Sequence, residues 1–326
     1  MSGVRPLGLV DEGLGNSSYL VDLGDGRALV VDPARHPRPY LAAAERAGLD
    51  IAFAVETHLH ADFVSGTREL GALGASVLVP SGGGHQFAAQ GLRDGDEVDL
   101  GGLTLRALAT PGHTPEHLAY LLLDGSKPVG LFSGGSLLVD SVARTDLVHP
   151  DETEALTRAL WRSIQERILT LPDDVPVYPT HGAGSFCSTP ASGERTTTIG
   201  RERRANPLLA APDEDTFVAR LLGGLGSYPP YFLRLREVNR RGPNVFGPGD
   251  PVLAALRVDD VARLQAGGAW VVDARPVDAF ARGHVPGSVS IALRPQFASW
   301  LGWIVPADTP VVVVLDEGQD RAELVR

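Results

Sequence analysis

Apolar positions in the first third of the chain form short runs separated by glycine and aspartate turns. Residues 18–23 and 28–32 flank the tripeptide GDG, a pattern that predicts a β-hairpin. PYLAAAERA at 39–47 has helical spacing and stops at Gly48, after which 51–56 reads as a short buried strand running into THLHAD. A helix over 66–73, a strand over 76–80 and strands over 97–100 and 103–109 follow, the last leading into PGHTPEH. Residues 120–123 and 129–133 predict a second hairpin, and 153–168 an amphipathic helix ahead of a strand over 175–179 that ends in THGAGS. Histidine-bearing loops therefore recur at strand ends. RGPNVFGPGD at 241–250 lacks periodicity and is rich in Gly and Pro, so it reads as a linker between a domain over 1–240 and another over 251–326. In the latter, a helix over 258–266 and strands over 269–273 and 311–315 indicate a small α/β unit.

Composition narrows the classes. A length of 326 residues exceeds the usual single domain, in keeping with two. A formal charge of −11 opposes nucleic-acid binding, and the cluster Arg201, Arg203 and Arg204 reads as a solvated helix face. No apolar run approaches the roughly 20 residues of a membrane helix, and no secretory signal is visible at the start, so the expected location is the cytoplasm. The single cysteine, Cys187, excludes an internal disulfide and a cysteine-based zinc cluster, which leaves a metal dependent on His, Asp or Glu.

His58 and His60 stand two apart after one strand, and His113 and His181 sit on glycine-containing turns after two others. Imidazoles fixed on short loops at one edge of a β-scaffold are the raw material of a metal site. These residues also carry a family resemblance. ETHLHADFVSG at 56–66 and ATPGHTPEHLAY at 109–120 resemble the HxHxDH signature and third-histidine loop of the metallo-β-lactamase superfamily, and FSGGSLLVDSVARTDL at 132–147 and YPTHGAGSFC at 178–187 resemble its later site segments. Within the superfamily the chain looks closest to persulfide dioxygenases, with glyoxalase II as the nearest hydrolytic relative. The resemblance implies an α/β fold, a four-layer αβ/βα sandwich, and a small-molecule thiol derivative as substrate.

Phe63 stands where the signature ends in His, and Gly135 where the family places its bridging Asp. What survives implies one metal ion per chain, Fe(II) or Zn(II), held by His58, His60 and His113, with Asp62 and His181 as catalytic residues and Arg144, Ser185 and Cys187 as substrate-binding residues. Three imidazoles suit either ion. The leading expectation is a persulfide dioxygenase-like enzyme that oxidises a low-molecular-weight thiol persulfide to sulfite. The alternatives are a zinc-dependent thioester hydrolase of the glyoxalase II type and a non-catalytic member that binds a thiol or a partner; a homodimer is compatible with all three. On the same reasoning, an aspartate restored at 135 is expected to add an anionic ligand.

AWVVDARPVDAFARGHVPGSVSI at 269–291 resembles a rhodanese domain. Asp316 occupies the position of that family's nucleophilic cysteine, and a carboxylate cannot form a persulfide, so this small unit, shorter than its relatives, is expected to be inactive in sulfur transfer.

Overall fold

The computed structural model describes residues 4–187, 193–247, 249 and 252–325. The chain divides into two compact units, with the main division between Val245 and Phe246. That division falls inside the linker expected at 241–250, of which residues 248 and 250 lie outside the described residues, as do 251 and 326 of the C-terminal domain.

The first unit is built on two six-stranded sheets. One contains β1 (Leu7–Asp11), β2 (Asn16–Asp22), β3 (Arg27–Val31), β4 (Asp50–Val55), β5 (Ser76–Pro80) and β6 (Gln90–Leu92), in that order. It is antiparallel from β1 to β3 and parallel from β3 to β6. The other runs β7 (Glu97–Asp99), β8 (Leu103–Ala109), β9 (Leu118–Asp124), β10 (Lys127–Gly134), β11 (Pro176–Pro179) and β12 (Thr197–Thr198), with only β10 and β11 parallel.

Strand periodicity explains the layering. In β9 every residue from Leu118 to Leu123 is buried: Leu118, Tyr120 and Leu122 face the first sheet's Tyr19, Leu29 and Val31, while Ala119, Leu121 and Leu123 face the opposite way. A strand covered on both faces needs a continuous apolar run, and each buried Leu contributes roughly 1.5–3 kcal/mol. On the outer side of the first sheet lie α1 (Arg38–Ala47) and α2 (Thr67–Ala72), through Tyr40, Ala43, Ala44 and Leu70. The outer side of the second is covered by α3 (Thr153–Ser163) and α5 (Glu214–Gly223), with α4 (Ile199–Ala205) between them in sequence; Leu160, Phe217 and Leu221 fill the contact. The result is the four-layer αβ/βα sandwich. The helix expected over 153–168 is one continuous path whose last turn, Ile164–Ile168, widens so that Leu169 N–H reaches the Ile164 carbonyl. A further helix, α6 (Phe232–Arg241), closes the unit.

The second unit has a parallel three-stranded sheet of β14 (Val289–Ser290), β13 (Trp270–Asp273) and β15 (Val311–Val314). Helices α7 (Val258–Ala266), α8 (Val277–Arg282), α9 (Phe297–Ile304) and α10 (Arg321–Val325) accompany it. Buried Asp273 takes the Arg275 guanidinium at 2.9 and 2.6 Å, and the same guanidinium donates to the Gly283 carbonyl, which fixes the turn around residues 283–288. No helix of the described residues is long and apolar enough to cross a membrane.

Candidate metal centre

The loops that leave β4, β8 and β11 converge with the start of β2. Ser17 N–H donates to the Thr180 carbonyl at 2.8 Å, which brings the first residue of β2 beside His181 and links the two sheets where the histidines gather. Gly112 allows the His113 loop its close approach: its φ is +151°, and a β-carbon there would collide with Leu160 of α3.

Each imidazole is oriented from behind. Thr57 Oγ1 gives its single proton to Asp32 Oδ2 at 2.7 Å, so at 2.8 Å it accepts from His58 Nδ1–H. His113 Nδ1–H donates to the Arg144 carbonyl at 2.5 Å. His181 Nδ1–H donates to Asn16 Oδ1 at 3.1 Å and lies 3.3 Å from Asp62 Oδ2, while Asn16 Nδ2 donates to that same carboxylate oxygen at 2.6 Å. In all three rings Nε2 is therefore a lone-pair acceptor. His58 Nε2 and His181 Nε2 face each other at 3.4 Å in full burial, an arrangement that calls for a cation or a proton between them.

His60 differs. Its Nε2 lies 3.2 Å from Asp32 Oδ1 but off the hydrogen-bonding direction, so both its ring nitrogens are buried without a hydrogen-bond partner among the described residues. Burial pushes His60 down, but the Asp32 carboxylate outweighs it and raises the ring above its ordinary value. Burial first, then neighbouring imidazoles, hold His58 well below that value, and burial first, then the neighbouring His181 ring, takes His113 to about 3. Asp62 is depressed because His181 overcomes the burial that would raise it. His58 and His113 thus stay unprotonated near neutrality, with nitrogens free to act as ligands.

The structure regroups the expected ligand set. Ligand atoms of His58, His60 and His181 lie within 4.8 Å of one another, as do those of His113, His181 and Cys187. His181 is common to both groups, and Cys187 joins the second. Asp62 backs His181 through Oδ2, and its Oδ1 is buried with no hydrogen-bond partner among the described residues. The Arg144 guanidinium donates to Asp146 at 2.7 and 2.9 Å, to the Phe186 carbonyl at 3.0 Å and to the Gly226 carbonyl at 2.7 Å. Ser185 Oγ accepts from Cys187 N–H at 3.1 Å and shapes the same loop.

At the two departures from the signature, the Phe63 ring stacks on His60 with centroids 4.2 Å apart, and Gly135 has no space for a side chain. A β-carbon at 135 would lie 2.5 Å from His113 Cδ2, so an aspartate there would displace a ligand rather than add one. The Gly135 amide is bound by His117, a residue without an expected role in the sequence analysis. Its Nδ1–H donates to Thr110 Oγ1 at 2.8 Å and its Nε2 accepts from Gly135 N–H at 2.9 Å, so both ring nitrogens are committed. Asn16 was also missed, since an isolated asparagine opening a strand carries no motif in this sequence. The x3 spacing of His113 and His117 was the available signal for the first.

A model of the metallo-β-lactamase superfamily matches residues 11–181. The chain belongs to the metallo-β-lactamase superfamily. A rhodanese-like domain model matches residues 257–326. Among superfamily relatives, human mitochondrial persulfide dioxygenase ETHE1 is 32% identical over 217 residues, covering 65% of this chain and 78% of the relative. A hydroxyacylglutathione hydrolase from Rhodopseudomonas palustris (strain BisB18) is 32% identical over 250 residues, covering 68% and 93%. A crystal structure of a metallo-β-lactamase from Staphylococcus aureus subsp. aureus COL superposes with a TM-score of 0.83 at 29% identity, covering 97% of this chain and 92% of that one. Superfamily members bind metal, and the buried imidazoles with outward-facing lone pairs fit a divalent transition ion.

Proposed function

We propose that the chain is a mononuclear metalloenzyme of thiol metabolism that oxidises a low-molecular-weight persulfide. The supporting observation is that buried acceptor nitrogens converge at one place while Phe63 covers His60 where the superfamily signature carries a further histidine, which suits one ion rather than two. Similarity to a persulfide dioxygenase supports the substrate class. His58, His60, His113 and His181 would hold the ion. Bound ferrous iron would supply the redox chemistry that couples dioxygen to a thiol-bound sulfur.

The rest falls to the chain's own side chains. Asp32, fixed by Thr57 N–H at 2.7 Å and by the Thr57 and Thr180 hydroxyls, anchors the His58–His60 loop. Asn16 and Asp62 orient His181, and the Arg144 carbonyl orients His113. Persulfide, dioxygen and water balance against thiol, sulfite and two protons, and Asp62 Oδ1 is the buried acceptor available for one of them.

Anaerobically iron-loaded protein is expected to consume oxygen and form sulfite with glutathione persulfide, while zinc-loaded protein shows no comparable hydrolysis of S-lactoylglutathione. Hydrolysis in the absence of oxygen uptake would replace this reading with the thioester hydrolase.

A further inference from the structure

The superfamily carboxylate is missing at Gly135, and the geometry there leaves no room for one. A divalent ion held by imidazoles alone would keep its full charge in a buried place, which is costly unless an anion joins it. Asp32 is occupied by Thr57, Thr180 and His60, and Asp62 Oδ2 by Asn16 and His181. Asp62 Oδ1 is buried without a hydrogen-bond partner among the described residues, but Asp62 belongs to neither ligand group; Cys187 belongs to one, is buried at 1% exposure, and its sulfur shares the 4.8 Å cluster with the His113 and His181 nitrogens.

We propose that Cys187 binds the metal ion as a thiolate together with His113 and His181, and supplies the negative charge that Gly135 does not. The inference rests on the metal-binding reading above. Its second support is the way the loop is built. Arg144 N–H donates to the Cys187 carbonyl at 3.0 Å, Arg144 Nη1 donates to the Phe186 carbonyl at 3.0 Å, and the Arg144 carbonyl accepts from His113 Nδ1–H. One residue thus fixes the thiol and an imidazole relative to each other. Ser185 Oγ holds the Cys187 amide from the other side. As the sulfur–metal bond forms, the S–H bond breaks and its proton passes to solvent, with no change of oxidation state. Thiolate–imidazole sets suit zinc, cobalt and ferrous iron.

Cobalt(II) titration of the metal-free full chain tests the proposal, because a thiolate–cobalt bond gives an intense near-ultraviolet charge-transfer absorption that imidazole ligands do not. Cys187 is the only cysteine, so the band has a single possible source. The wild type is expected to take up one Co(II) with that band growing in step with occupancy. Cys187→Ser should lose the band and bind Co(II) about tenfold or more weakly, while Cys187→Asp retains uptake without the band. One Co(II) bound by the wild type with no charge-transfer band would overturn the thiolate ligand and leave the histidine site standing. No Co(II) uptake at all would overturn both. If the serine variant does not fold, the wild-type spectrum alone decides.

Discussion

At residue scale, the site depends on groups that never face the metal position. Gly135 illustrates this: its amide feeds His117 Nε2 and its missing β-carbon is the space occupied by the edge of His113. Gly135→Asp is therefore expected to lower the melting temperature, at a cost of about 1–3 kcal/mol from overpacking, and to reduce metal content. A variant with normal melting and more metal than the wild type would contradict this. Arg144→Ala should cost about 1–3 kcal/mol by leaving Asp146 and two carbonyls unpaired, and should weaken metal binding about tenfold by loosening the His113 and Cys187 loops. Arg144→Lys should not rescue either loss, because an ammonium cannot reproduce the paired contacts; calorimetry with metal titration reads both. The sequence made the four histidines and both signature losses visible, because those sit in motifs. It hid the role of Arg144, since a backbone carbonyl that orients an imidazole leaves no trace in residue type.

At the scale of elements, α6 closes over the first histidine loop. Asn239 donates to the His60 and Phe63 carbonyls, both at 2.8 Å, and accepts from Ser65 N–H at 2.9 Å. Arg236 grips Glu116 with two contacts of 3.0 Å, and Glu116 in turn accepts from Leu59 N–H. Helix and loop are thus held by polar contacts across more than a hundred residues of sequence. Asn239→Ala is expected to cost roughly 2–4 kcal/mol by stranding buried loop groups, read as a lower denaturant midpoint at unchanged slope. A shift within error of zero would show that the loop holds itself. Longer strands were legible from alternation and from turn residues, as β5 shows at 76–80 and β8, which leads into the His113 loop, at 103–109. Two short strands were not: β6 and β12 have three and two residues, too few for a period to register. The amphipathic α6 escaped because its arginine-rich sequence, FLRLREVNRR, reads as surface although Phe232 and Asn239 are buried.

At the scale of the whole molecule, two units share one chain and one cysteine. In the rhodanese-like unit, Asp316 follows β15, and Gln319 closes the loop by accepting from Asp316 N–H at 2.9 Å and donating to the Ala274 carbonyl at 2.9 Å. Full-length protein is accordingly expected to form no thiocyanate from thiosulfate and cyanide above background; turnover there would mean a nucleophile other than a cysteine of this unit. Metal binding at the histidine site underlies every activity considered for this chain. The most direct test of that site is the metal content of full-length protein purified without added metal, compared with His181→Ala, because His181 belongs to both ligand groups. The expected result is one transition-metal ion per chain in the wild type and substantial loss in the variant. Two ions per chain, or a variant that retains its metal, would contradict the single buried centre.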